Sequence, residues 1–163
     1  GMALVIRRLA WLGRVAVGAC GFEPAFAPGG SGDQLRGQLL VAAPKDRQDF
    51  DFVARLEDRL GRNGAAPYGL SYQISTTTDG VAITADQQTQ RFNLIGAVDF
   101  QVVENASGAV LTSGQVNSFT SYSTTGTTVA TRAAEQDAYA RLVVILADQL
   151  ITRLIATGDR WLP

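Results

Sequence analysis

The chain has 163 residues, with 14 Lys and Arg, 15 Asp and Glu, one Cys and no His. That length fits one domain with a sizeable core, and 46% hydrophobic against 18% charged residues excludes wholesale disorder. A lone Cys rules out an internal disulfide, zero His removes imidazole catalysis and His metal ligands, and a formal charge of −1 argues against a nucleic-acid binder.

Gly1-Met2 reads as an expression remnant ahead of a native start Met. Arg7-Arg8 precede a short apolar stretch, Leu9 to Ala19, that Arg14 interrupts. A bilayer span needs about 20 apolar residues. A basic start, a short apolar run and small residues before a boundary instead predict a secretory signal peptide over residues 1–19. The boundary Val17-Gly18-Ala19-Cys20 resembles a bacterial lipobox. Small residues fit the peptidase cleft, and the Cys20 thiol takes a diacylglycerol before cleavage frees its amine for an N-acyl chain. A merely buried free Cys is the plainer alternative. The position of the only Cys behind a signal-like segment favours lipidation.

Each buried acyl CH₂ contributes about 0.8 kcal/mol, so three chains would hold the protein on a membrane. Losing Arg7, Arg8 and Arg14 with the signal leaves 11 basic against 15 acidic residues, a net of −4. The expected product is an acidic, tethered periplasmic domain. Residues 20–33 form the lipidation site and a Pro/Gly linker, and 34–163 a single α+β domain.

Gln34 to Val41 is the first predicted strand, with Leu35, Leu39 and Val41 alternating and Pro44 closing it. Asp49 to Arg62 predicts a short helix from Phe52, Val53, Leu56 and Leu60, with Asp49 and Asp51 suited to its N-terminus. Tyr68 to Thr76 alternates as a strand, Asp79-Gly80 predicts a turn, and Val81 to Thr84 a short extension. Arg91 to Glu104 is a long strand with Phe92, Leu94, Val98, Phe100 and Val102 on one face. Asn105 to Gly108 predicts its turn, and Val110 to Tyr122 returns rich in Ser, Thr and Asn. Ser123 to Thr128 reads as a loop. Tyr139, Leu142, Val143, Leu146, Leu150 and Leu154 predict a closing helix from Val129 to Ala156, ended by Gly158.

The order β-α-β-β-β-α predicts a mixed four-stranded sheet with both helices packed on one face. The other face should carry Ser, Thr, Asn and Gln with scattered apolar residues. Such an open face suits docking better than catalysis. No Gly-x-Ser-x-Gly elbow, Ser-x-x-Lys pair or His base is present, and Gly29-Gly30-Ser31-Gly32 lacks the Lys of a phosphate loop. The sequence therefore predicts no enzyme, no metal and no cofactor beyond covalent acyl chains.

Cys20-Gly21-Phe22-Glu23-Pro24 resembles the mature start of the LPS-assembly lipoprotein family LptE, in its alphaproteobacterial branch. The Tyr68-x-Leu-x-Tyr-x-Ile strand and the hairpin ending Leu111-Thr-Ser-Gly114-Gln-Val are similar to that family's. So is the stretch from Ser121-Tyr122 through Ala130-Thr-Arg-Ala-Ala-Glu135-Gln-Asp137-Ala to Leu146-Ala-Asp148-Gln-Leu. The resemblance implies a lipid-anchored protein on the periplasmic face of the outer membrane. It implies a plug for the β-barrel LptD and help in delivering lipopolysaccharide to the cell surface. A polar barrel lumen would suit the hydroxyl-rich strand Val110 to Tyr122.

Lipopolysaccharide carries phosphates, which call for Arg or Lys. Arg91, after the polar loop, is the first candidate, and Lys45 and Arg47, before the first helix, are next. The plainer reading of each is an ordinary surface cation. The rival to the family reading is an auxiliary lipoprotein of a lipid-transport ABC system, which would share this composition.

Overall fold

The computed structural model describes residues 34–83, 89–125 and 127–162. The signal segment, Cys20 and the linker lie outside the described residues. Strand β1 is Leu39–Val41, helix α1 is Arg47–Leu60, and strand β2 is Tyr68–Ile83. Strands β3 (Thr89–Glu104) and β4 (Val110–Thr125) follow, and helix α2, Thr128–Trp161, closes the chain. The sheet order is β1-β2-β3-β4, with β1 parallel to β2 and the other pairs antiparallel. The expected order and mixed sheet are therefore present, with both helices on one face.

The helices form for local reasons. Asp46 caps α1 by accepting from Asp49 N at 2.9 Å. Thr127 caps α2 by accepting from Ala130 N at 3.2 Å. Phe52, Val53, Leu56 and Leu60 bury one stripe of α1. Leu142, Leu146, Leu150 and Leu154 do the same on α2, over Leu70, Leu94, Val98 and Val102 of the sheet. Gly96 makes room for that approach. A Cβ there would lie 2.9 Å from Leu142 Cδ2 and 3.0 Å from Leu146 Cδ1. Thr120 is the one buried polar side chain among the described residues, and its hydroxyl donates to the Ala138 carbonyl at 2.9 Å. It fastens β4 to α2.

Four boundaries differ from the sequence expectation. The first strand is only three residues long. Gly37, at φ +75°, turns the chain before it, and Gly37 N donates to the Leu60 carbonyl at 2.9 Å. Asp79-Gly80 is no turn: Asp79 pairs with Asn93 and Gly80 with Phe92, so β2 continues to Ile83. β4 and its partner run on to Thr125, which shrinks the expected loop. Gly158 does not end α2. It is buried inside the helix, and Trp161 beyond it meets Tyr68 edge-on with ring centroids 6.1 Å apart. At 34 residues α2 spans about 51 Å, close to the about 53 Å of a 16-residue strand.

Candidate interaction surface

Side chains alternate across each strand, so the face away from the helices can be read from the register. On β2 it carries Ser71, Gln73, Ser75 and Thr77, and on β3 Asn93, Ile95, Ala97, Asp99 and Gln101. On β4 it carries Ser113, Gln115, Asn117, Phe119 and Ser121. Short polar pairs fix this surface. Gln115 Nε2 donates to Asp99 Oδ1 at 2.9 Å, and Ser121 Oγ donates to Asn93 Oδ1 at 2.8 Å. Within it Phe119 is 60% exposed and lies opposite Ile95, itself 37% exposed. This apolar pair in a hydroxyl- and amide-rich sheet stands outside the core and is a candidate docking feature. The sequence foresaw the scattered apolar residues of this face without singling out Phe119.

The other surface is made by the two helices. Arg55 of α1 holds Asp148 of α2 through Nε at 2.9 Å and Nη2 at 3.1 Å. That hydrogen-bonded carboxylate raises the Arg55 guanidinium above its ordinary value. Towards the start of both helices they part to leave a groove of about 550 Å³. Arg47 and Asp51 line it from α1, and Arg132, Glu135, Tyr139 and Val143 from α2. Arg47 and Asp51 are one turn apart, as are Arg132 and Glu135, so each helix offers a cation and a carboxylate. Tyr139 anchors the groove to the sheet, its hydroxyl meeting Thr76 Oγ1 of β2. Nearby, burial pushes the Tyr72 phenol up to about 12, and the Asp49 carboxylate adds to the rise. Burial also raises Tyr122, whose ring stacks on Phe92 at 5.5 Å, with the Glu135 carboxylate contributing.

The candidate cations do not converge. Lys45 is exposed just before α1, and its backbone N–H donates to Asp49 Oδ2 at 3.4 Å. Arg47 opens α1 and lines the groove. Arg91 is exposed on β3, opposite Ala82 and Ser123 and on the open-face side. α1 begins beside Tyr72, whose hydroxyl lies 3.5 Å from Asp49. From Tyr72 to Ala82 is ten residues of β2, about 33 Å. Arg47 and Arg91 therefore belong to separate places. The partner that the fold does bring to Arg47 is Arg132, which sequence reading missed. Its spacing of three and seven residues from Glu135 and Tyr139 was the available signal.

Among the described residues no group of three or more His, Cys, Asp or Glu is placed to hold a metal. No described helix is long and apolar enough to cross a membrane. The family described as LptE, Lipopolysaccharide-assembly, matches residues 37–154, from before β1 to near the end of α2. The chain belongs to the LptE family. No curated protein matches it. A lipoprotein of Caulobacter crescentus shares the fold at a TM-score of 0.65 and 22% identity, over 82% of this chain and 98% of that one. Rare lipoprotein B of Shewanella oneidensis is similar at a TM-score of 0.56 and 15% identity, over 75% and 94%. A minor lipoprotein of Acinetobacter baumannii is similar at 0.54 and 17%, over 74% and 91%. LptE membership places the chain in lipopolysaccharide assembly. The open sheet face and the helix groove are its two candidate working surfaces.

Proposed function

We propose that the chain is an outer-membrane lipoprotein, held on the periplasmic face by acyl chains on Cys20, that plugs and assembles an LptD β-barrel. It assists lipopolysaccharide delivery to the cell surface and carries out no covalent chemistry. The observation that carries this reading is the family match across residues 37–154, which takes in the whole sheet. The geometry supports it. A wide lumen needs a plug with a firm body, and a 34-residue helix along three 16-residue strands supplies one. A polar lumen matches the Ser, Thr, Asn and Gln of the open face. Arg91 on the open face is the first proposed phosphate contact, and Lys45 and Arg47 at the start of α1, a separate place, are the next.

The test is a mild cross-linking pull-down of the native protein from its own outer membrane, with mass spectrometry of what accompanies it. A large outer-membrane barrel with bound lipopolysaccharide is the expected result. ABC-transport components without a barrel would overturn the proposal.

A further inference from the structure

β1 covers only a small part of β2. Leu39, Leu40 and Val41 pair with Tyr68, Gly69 and Leu70, while β2 continues to Ile83. Tyr68 N donates to the Gln38 carbonyl at 3.2 Å, and Ala42 N donates to the Leu70 carbonyl at 2.9 Å. Even-numbered residues of β2 thus turn their backbone groups away from β3. By the same alternation Tyr72, Ile74, Thr76 and Thr78 present N–H and C=O outward. No backbone group among the described residues bonds them on that side.

The opposite edge is handled differently. On β4, Arg141 Nη2 donates to the Ser121 carbonyl and Arg153 Nη1 to the Gln115 carbonyl, each at 3.2 Å. Side chains from α2 therefore occupy outward carbonyls there. The β2 edge from Tyr72 to Thr78 has no Lys, Arg or Pro, and its bulge comes only at Gly80/Ala82. Proteins normally use such devices to block strand addition. The groove opens on the helix side of this same edge, because Tyr139 lines it and touches Thr76. Arg47, Asp51, Arg132 and Glu135 surround it, and no ion pair among the described residues joins any two of them.

We infer that the β2 edge from Tyr72 to Thr78 receives one extended strand of the barrel partner, whose helix-side residues enter the groove. This rests on the barrel partnership proposed above. The outward N–H and C=O groups supply the ladder, and the groove supplies selectivity at alternate positions. Charge complementarity defines the strand. It carries acidic side chains against Arg47 and Arg132 and basic ones against Asp51 and Glu135.

The experiment uses the full lipidated chain expressed with its barrel partner in their own outer membrane. Thr78→Pro deletes one outward N–H and places a ring in the strand's path, a substitution that edge strands tolerate. In parallel, a photo-cross-linking residue replaces Gln136, which is exposed and lines the groove on the helix side, away from the open face. Recovery of the barrel should fall about tenfold for Thr78→Pro at unchanged thermal stability. The Gln136 probe should mark one contiguous barrel segment. If Thr78→Pro does not fold, the Gln136 adduct alone decides. Wild-type recovery with a folded Thr78→Pro, or no barrel adduct at Gln136, would overturn the inference while leaving the partnership intact. An adduct to a second copy of the chain would also overturn it. Absence of any barrel with the wild-type protein would instead remove the partnership itself.

Discussion

Phe119 of β4 lies directly opposite Ile95 of β3, and both stand on the face of the sheet that no helix covers. Burial of such a pair must come from outside the domain. An exposed aromatic ring adds little to the folded state, whereas in a desolvated interface it becomes an anchor. Phe119→Ser should change unfolding free energy by no more than about 0.5 kcal/mol. Barrel recovered in the pull-down should drop severalfold. Wild-type recovery with the variant would show that this face does not carry the contact.

Gly96 sits where α2 crosses β3 most closely. A methyl group there would overlap Leu142 and Leu146, both fully buried. Gly96→Ala should destabilise the domain by about 1–3 kcal/mol through overpacking. Leu142→Ala alone should cost about 2–5 kcal/mol, and the double variant should lose less than the sum of the two, because the cavity accepts the new methyl. Urea unfolding of the two single variants and the double variant measures this. Strictly additive losses would refute the packing argument.

Tyr72 ties stability to alkaline pH. Its phenol is pushed from an ordinary 10.0 up to about 12 by burial and then by Asp49. The folded state thus holds the proton more tightly than the unfolded chain. The resulting stabilisation is complete below pH 10 and is lost as pH rises towards 12. Tyr72→Phe keeps the ring contact with Phe52, whose centroid is 5.0 Å away, and removes the titrating group. Its thermal midpoint should fall less steeply through that window than the wild-type midpoint. Parallel curves would exclude Tyr72 as the source.

The sequence showed the fold more fully than the surface. Element order followed from periodicity, because one-sided burial writes a two-residue or near-four-residue rhythm into the chain. Leu142, Leu146, Leu150 and Leu154 were legible as a stripe for that reason. Asp79-Gly80 misled, since local turn preference yielded to pairing with Asn93 and Phe92. Gly158 misled likewise, since the packing of Trp161 on Tyr68 extends the helix past it. The site was harder to read. Arg47 and Arg132 are 85 positions apart, and only the α1–α2 packing puts them on one groove. The bare edge of β2 was invisible because it depends on how short β1 is. The Ala42 N–H makes the last bond to β2, and Pro44 and the Asp46 cap then turn the chain into α1 before it reaches Tyr72.

Cys20 is the proposed attachment point, and the acyl chains are asked to do all of the anchoring. A single chain gives only marginal binding, and stable anchoring takes two signals. In cells depleted of the barrel partner, Cys20→Ala should therefore move the protein from the membrane pellet to the soluble periplasmic fraction. Metabolic labelling with a palmitate analogue should mark the wild-type chain and not the variant. Unchanged membrane retention, in cells depleted of the barrel partner, would mean that the segment before Cys20 is itself the anchor.

Arg91 and Arg47 make opposing predictions about lipopolysaccharide. Arg47 lines the groove on the helix side of the sheet and Arg91 stands on the open face, so the two test different sites. A charge-assisted contact contributes about 1.5 kcal/mol or more, so reversing the cation that makes it weakens binding about tenfold. Arg91 is exposed on a strand paired on both sides, so Arg91→Glu should leave the fold intact. If the open face holds the lipid, Arg91→Glu should weaken binding and Arg47→Glu should leave it near the wild-type value. If the helix groove holds it, the pattern reverses. Titration of each variant with purified lipopolysaccharide, beside a thermal melt, separates the two. Wild-type affinity for both would remove these arginines from recognition altogether and leave the groove to the partner strand.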